Sequence, residues 1–371
     1  MTADRRLRVG VDGREFTSVA GGVRRYVVEL YSAIRAVDPS VDVIAIGAAP
    51  SAVLPPGVER RRAVPLPTNL GWMAGSIPLA ARGARLDVYH APAYKAPLWG
   101  VHPQVVTIHD VSYERHPEWD AYRNDPLRRW FYRRGALAAD RVVTDSQFSK
   151  SEIIAAYGIA ADRIDVVPLA AAPLFIAGAG DRATLPPGVA QPYALHVGDL
   201  HVRRNLPIAL SAVLQLRREG LPLTLVCAGA DRGHGARLTT LARDAADPAA
   251  VVLTGVVDDA ALLNLYRRAS LFVYPSRYEG FGLPVLEAMS CGIPVAAANA
   301  SSVPELVGDA GLLLPTDDVP AWIDALRTLM QRPDVAARLS ASGIRQAATF
   351  TWERTARRMI DVLRRLAGRT P

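Results

Sequence analysis

The stretch P-S-R-Y-E-G-F-G-L-P-V-L-E-A-M-S-C-G-I-P-V-A-A-A-N-A-S-S-V-P-E, residues 275–305, carries the densest chemistry in the chain. It follows an apolar strand at 271–274, passes through a turn holding Glu279, Gly280 and Gly282, and enters a helix with Pro284 in its first turn. Proline fits there because the first helical N–H groups lack intrahelical partners. Glycines on either side of Phe281 let the backbone approach a ligand. The helix start, at Leu283, offers N–H groups and partial positive charge to an anion. The helix turns Glu287 to the face of Val285, Leu286 and Met289 and ends near Gly292 and Pro294, where a second buried strand begins. Two carboxylates eight residues apart thus flank one glycine turn, each expected beside a cleft rather than in a core. The bland alternative is a solvated loop glutamate and an exposed helix carboxylate around ordinary turn glycines.

Read whole, E-G-F-G-L-P-V-L-E-A-M-x-C-G-x-P-V resembles the E-x7-E signature of family 4 retaining glycosyltransferases, which have the GT-B fold. That resemblance implies an α/β protein of two doubly wound, Rossmann-like domains facing a cleft, with the nucleotide sugar held by the second. The second half of the chain fits. Strands read at 193–197, 223–228, 251–254, 271–274 and 294–297 alternate with helices, the pattern of a parallel sheet covered on both faces. The first of them ends in V-G-D-L-H-V-R-R-N, placing Arg203 and Arg204 before a helix that Asn205 can cap, and arginine forks suit diphosphate oxygens. This segment resembles the family's V-G-x-x-x-x-R-K-N donor-phosphate motif, with Arg204 where lysine is commoner and Asp199 where some branches hold another arginine. The resemblance also makes the turn at Gly255 to Val257 part of a base pocket.

Composition narrows the alternatives. A chain of 371 residues has room for roughly two to three domains. Its formal charge is +7, with two lysines, Lys95 and Lys150, among 43 basic residues, an imbalance that looks like codon bias. No nucleic-acid module accompanies that charge, so nucleotide substrates or anionic lipid are the better partners and nucleic acid is not expected. Cys227 and Cys291 have no C-x-x-C or Cys/His neighbours, which argues against disulfide and zinc, and no metal or cofactor is expected beyond the nucleotide sugar as co-substrate. The start, M-T-A-D-R-R-L-R-V-G-V-D, has no apolar core of signal-peptide length, and no run approaches a membrane span, so a cytoplasmic location is expected.

The first half opens with a strand at 7–11, then a loop reaching Gly21 and Gly22 before a helical pattern at 23–37. The spacing fails the dinucleotide fingerprint, which closes directly after its strand. Paired glycines at a helix start suggest instead a loop for a phosphate or an acceptor, with plain turn glycines as the other reading. G-G-V-R-R-Y resembles the family's acceptor-domain G-G-x-G-R-Y segment, with Arg24 in place of glycine. Further strands read at 41–46, 87–90, 105–108, 141–144 and 164–167. His109 and Asp110 directly follow the 105–108 strand, where ligands of open α/β sheets lie, and T-I-H-D-V-S-Y-E-R-H-P-E-W resembles the mannosyltransferase-like branch. A helix at 126–139 mixes Trp130, Phe131 and Tyr132 with Arg128, Arg129, Arg133 and Arg134. It reads either as a seat on anionic headgroups at the inner face of a membrane or as buried aromatics with solvated arginines.

Together these imply an acceptor domain over 1–170, an Ala/Gly/Pro linker over 171–192, a nucleotide-sugar domain over 193–350 and a last helix, within 351–371, crossing back to the first domain. The expected activity is retaining, metal-independent hexosyl transfer, foremost mannose from GDP-mannose, to a glycan, glycolipid or small-molecule acceptor. Glu279, His109, Arg203 and Arg204 form the catalytic set, and Glu287 meets the ribose. UDP-glucose-type transfer is the alternative, ahead of a nucleotide-sugar epimerase or a homologue that only binds. A hydrolase would have no use for the arginine pair, and a GT-B phosphorylase needs a lysine that the second half lacks.

Overall fold

The computed structural model describes residues 6–18, 21–66, 68–119, 125–176 and 184–368. The chain divides into two compact units: Met1–Leu169 with Thr351–Pro371, and Ala170–Phe350.

Unit 1 is built on a seven-stranded parallel sheet: β1 Leu7–Asp12, β2 Val41–Ile46, β3 Val58–Arg61, β4 Val88–Ala91, β5 Gln104–Thr107, β6 Arg141–Thr144 and β7 Ile164–Val166. Its order is β3-β2-β1-β4-β5-β6-β7. The central strands are short Val/Ile/Ala runs because helices cover both faces and leave no solvent side to encode. Helix Gly21–Val37 presents Tyr26, Val27, Leu30, Tyr31 and Ile34 as one buried stripe. Helix Trp352–Leu366 belongs to this unit. Its Thr355 hydroxyl donates to the Pro168 carbonyl at 2.7 Å, and Arg364 pairs with Asp38 at 2.6 Å. Strand β3, V-E-R-R, escapes the sequence pattern because it lies at the sheet edge, where charge is tolerated and discourages further pairing.

Unit 2 holds six parallel strands: β8 Tyr193–Val197, β9 Thr224–Ala228, β10 Val251–Gly255, β11 Leu271–Tyr274, β12 Val295–Ala298 and β13 Leu312–Leu314. The order β10-β9-β8-β11-β12-β13 is that of a doubly wound nucleotide-binding sheet. Strand β13 is three half-buried leucines at the edge, too short to stand out. The segment read as a linker enters this unit as packed chain as far as Ile176: Phe175 is fully buried, edge-on to Tyr266 at 5.4 Å, and its carbonyl accepts from the Cys291 thiol at 3.3 Å. Residues 177–183 of that segment lie outside the described residues.

In each unit the strand order reverses once, beside β1 and β4 in the first and beside β8 and β11 in the second. Chains leaving neighbouring strands there turn to opposite faces and open a crevice at the carboxyl edge, the general ligand position of this architecture.

Candidate active site

In unit 2 the crevice lies at the loops after β8 and β11, and two of the charged residues picked from sequence, Arg204 and Glu279, meet there. Arg204 closes a short 3-10 turn, Val202–Arg204, and its guanidinium donates to the Glu279 carboxylate and the Tyr274 hydroxyl. The same Glu279 oxygen accepts from the Ser276 hydroxyl. Backbone bonds lock the two loops, Arg277 N–H donating to the Arg203 carbonyl at 2.8 Å and Glu279 N–H to the Ser301 hydroxyl at 2.9 Å. The Ser302 hydroxyl lies 3.0 and 2.9 Å from the carbonyls of Glu279 and Phe281, so the turn carrying Gly280 is held from both sides.

Two glycines are required by this geometry. Gly198 has φ +135°, and a Cβ there would stand 3.2–3.4 Å from the Arg204 guanidinium, which lies flat over the bare backbone. Gly282 has φ +104° and occupies the N-cap of helix Leu283–Ser290, so no side chain caps that helix; Pro284 carries no N–H, and the Val285 N–H donates to the Gly282 carbonyl at 2.9 Å. The Arg204 guanidinium is of the kind that recognises a diphosphate.

Both carboxylates are more buried than expected of groups that stand beside a cleft. Glu279 is 6% exposed and Glu287 2%. Glu279 tolerates burial because Arg204 and Ser276 compensate it. Glu287, one helical turn deeper, accepts from the Tyr266 hydroxyl at 2.8 Å. Asn205 also departs from its expected part. It holds the N-cap position of helix Leu206–Arg218 in a left-handed conformation, φ 52°, but its amide donates to the Thr316 carbonyl at 2.7 Å rather than capping. Gly255, φ +69°, and half-buried Val257 sit at the end of β10, two strands away. The Gly255 carbonyl accepts from Gly229 N–H at 2.9 Å, tying this loop to the one after β9. Behind the crevice His196 stacks on Tyr274 and is fully buried. Burial and then the Arg204 charge push its pKa down to about 3, so it is neutral.

In unit 1 His109 follows β5 and is bonded on both ring nitrogens, to the Asp145 carboxylate at 2.7 Å and the Pro92 carbonyl at 3.2 Å. The carbonyl accepts, and so does the carboxylate while it is ionised, so this pairing favours an imidazolium, although burial also raises the pKa of Asp145. Burial alone would lower its pKa, but the Asp145 charge and hydrogen bond overcome that and raise it. A ring held this way has no lone pair with which to act as a base. His90 makes the contrast: its nitrogens meet two hydroxyls, Tyr31 at 2.6 Å and Thr107 at 2.8 Å, which accept or donate as needed. Burial, then the neighbouring His109 charge, holds it neutral with a pKa of about 3. Asp110 spends one oxygen on the Ser112 N–H and hydroxyl. Gly21 and Gly22 are the first two residues of their helix, exposed, with open space where a Cβ would stand.

Sequence reasoning missed Ser276, Tyr274, His196 and Asp145 as site residues, and reached Gly198 only as part of the V-G-D-L-H-V-R-R-N stretch. Ser276 lies inside the quoted stretch but reads as a turn residue; Tyr274 and His196 read as strand. Only Asp145, following a strand end as His109 does, carried a positional signal. Among the described residues no group of His, Cys, Asp and Glu could hold a metal, and no helix is long and apolar enough to cross a membrane.

Comparison with known proteins bears on both units. Residues 20–171 match the family model described as Glycosyltransferase Family 4, and residues 191–332 match Glycosyl transferases group 1. The O-antigen chain mannosyltransferase B of Escherichia coli is 34% identical over 299 residues, 77% of this chain and 76% of that protein. Among solved structures, sucrose-phosphate synthase from Thermosynechococcus elongatus superposes with a TM-score of 0.75 at 21% identity, over 98% of this chain and 100% of that one. Anabaena HepE in complex with UDP and glucose gives 0.71 at 20% identity, over 97% and 99%. These structures establish the GT-B fold.

Proposed function

Because the chain belongs to the group 1, family 4 glycosyltransferases, we propose that it transfers mannose from GDP-mannose, with retention of anomeric configuration, to a hydroxyl of a glycan or lipid-linked acceptor. The observation that carries this reading is the Arg204–Glu279 pair set between Gly198 and the glycine turn that leads into helix Leu283–Ser290. The mannosyltransferase relative supports the choice of sugar. As the bond from the anomeric carbon to the leaving phosphate breaks, negative charge grows on the diphosphate, and stabilising it is the main electrostatic demand. Arg204 answers that demand, with Arg203 preceding it in the same 3-10 turn. The acceptor oxygen bonds to the anomeric carbon on the face the diphosphate leaves, and the acceptor proton passes to a phosphate oxygen. Glu279 holds hydroxyls of the transferring sugar, and Glu287 the ribose. The imidazolium of His109 contributes charge, not proton abstraction. UDP-glucose is the second donor to consider, because HepE was solved with UDP and glucose.

The direct test is donor turnover by purified protein across GDP- and UDP-sugars, with EDTA present. GDP-mannose should turn over fastest and EDTA should change the rate less than about twofold, because cationic side chains fill the phosphate role. Loss of turnover restored by magnesium or manganese would remove the metal-independent part of the proposal, and a preference for UDP-glucose would reassign the donor.

A lipid-linked acceptor would bring unit 1 to a membrane. Leu127 and Trp130 on helix Pro126–Ala138 are 70% and 51% exposed, Arg134 lies 5.9 Å from the Trp130 ring, and a cleft of about 420 Å³ beside them is lined by Trp99, Leu98 and Leu137. Exposed indoles beside arginines suit an anionic headgroup layer. At low salt the protein should co-sediment with anionic vesicles at least several-fold more than with neutral ones, and Trp130→Ala should reduce that. Equal recovery would leave the helix an ordinary solvated face.

A further inference from the structure

The reversal of strand order in unit 1 leaves the carboxyl ends of β1 and β4 side by side, Val11 registered against His90. The loop after β1 carries Glu15, and the loop after β4 carries Tyr94 and Lys95. Lys95 Nζ donates to Glu15 Oε1 at 3.2 Å, with the lysine side chain 28% exposed and the glutamate 7%. From this pair we infer an acceptor subsite that recognises a neutral sugar through adjacent hydroxyls.

Four observations support it. The position is the one where this sheet order opens a crevice. Tyr94 has φ +54°, a conformation bulky side chains rarely adopt, and such strain persists where surrounding structure fixes it for a purpose. Here its N–H donates to the Thr107 carbonyl at 3.0 Å and its ring packs edge-on to His109, at 6.1 Å, and Tyr113, at 5.9 Å. The strained residue delivers Lys95 to Glu15 directly.

The third observation is the residue type. The chain has two lysines among 43 basic residues, so lysine at 95 is notable where arginine is the prevailing choice. The other, Lys150, donates to the Ile164 carbonyl at 2.8 Å and is accounted for by the fold. An ammonium is a compact point charge with three donors, whereas a guanidinium is a planar fork that would bind a carboxylate in two places and use it up.

The fourth is the balance of donors and acceptors. A single bond between the pair leaves ammonium protons on Lys95 and accepting capacity on the Glu15 carboxylate. One sugar hydroxyl can accept from the lysine while its neighbour donates to the glutamate. The pair is neutral as a whole, and the carboxylate repels a phosphate, so a neutral polyol is the favoured ligand class.

This inference rests on the glycosyl-transfer reading above, and the lysine shortage makes the test direct. Incorporation of 13Cε-labelled lysine leaves both ammonium groups intact and gives two lysine Cε resonances, assigned with Lys150→Arg. The probes are the methyl glycosides of mannose, glucose, galactose and N-acetylglucosamine. At least one should shift the Lys95 resonance saturably and leave Lys150 in place. Glu15→Gln should abolish that shift while donor hydrolysis stays within about twofold of wild type. In turnover assays with the responding sugar as acceptor, Lys95→Arg should raise the acceptor KM more than tenfold with donor KM unchanged. Silence of Lys95 towards all four probes, or equal losses of donor hydrolysis and transfer in Lys95→Arg, overturns the subsite. If wild-type protein turns over no nucleotide sugar, the glycosyl-transfer reading fails first, whatever the resonances show.

Discussion

Glu279→Gln is expected to lower kcat by ~10–1000-fold while raising the donor KM less, because its contacts are to the part of the donor that changes as the anomeric bond breaks. That range corresponds to ~1.4–4 kcal/mol for one lost charged contact. The structure adds a stability consequence. Arg204 and Glu279 are each other's counterions, with side chains 9% and 7% exposed. Arg204→Met therefore abandons a buried carboxylate and should cost about 3–5 kcal/mol of unit 2 stability as well as turnover. The double variant Arg204→Met/Glu279→Gln removes both charges, so it should recover most of the stability and none of the activity. Urea unfolding and donor turnover on the four proteins separate these effects. A single Arg204→Met variant as stable and as active as wild type would overturn the assignment. Glu287, bonded to Tyr266 and assigned to the ribose, should on removal chiefly raise the donor KM.

Acid is expected to unfold this protein early. His90 and His196 are fully buried, one in each unit, and both are neutral in the fold with pKa values of about 3. In the unfolded chain each takes a proton near pH 6.5, so the unfolded state binds more protons below that pH. A depressed histidine therefore contributes stability above pH 6.5 that is lost as pH falls towards 3, by about 1.4 kcal/mol per pH unit for each residue. At pH 5 the two together should cost about 4 kcal/mol, a large share of a typical folding free energy. His109 works in the other direction: its raised pKa gives stability that is complete below pH 6.5 and lost as pH rises through the folded value. Urea midpoints measured from pH 7.5 to 4.5 should fall steeply, and His196→Asn should flatten the fall in unit 2 alone. A fall in unit 2 as steep in His196→Asn as in wild type would refute the neutral assignment of that histidine.

The sequence was most legible where chemistry and chain direction coincide. Short Val/Ile/Ala runs separated by helical stretches announced the doubly wound sheets, because burial on both faces leaves the same signature in any such strand. The loop after β11 could be read because a liganded backbone needs glycine at fixed offsets and a helix start directly after. What could not be read are the partners that the fold brings from elsewhere in the chain. That Arg204 answers Glu279 is a contact between loops 75 residues apart, and that His109 is a cation depends on Asp145 and the Pro92 carbonyl together. Local pattern records which residue types stand at a strand end; it holds nothing about which acceptor the second nitrogen of an imidazole will meet. Strands β3 and β13 were lost for local reasons, the one being V-E-R-R and the other only three residues long, whereas the other two edge strands, β7 and β10, were read.

The interrupted make-up of unit 1 has a consequence for how the molecule comes off the ribosome. Its first segment ends at Leu169, and its last helix, Trp352–Leu366, follows only after all of Ala170–Phe350 has been made. At ~5–20 residues per second, that interval is roughly ten to forty seconds. Throughout it Asp38 waits for Arg364, and the Pro168 carbonyl for the Thr355 hydroxyl. Unit 2, by contrast, is one uninterrupted stretch and can close as soon as it emerges. The nascent chain thus finishes its second half first and spends that interval with an unsealed first half, which makes unit 1 the client for any chaperone that attends its synthesis.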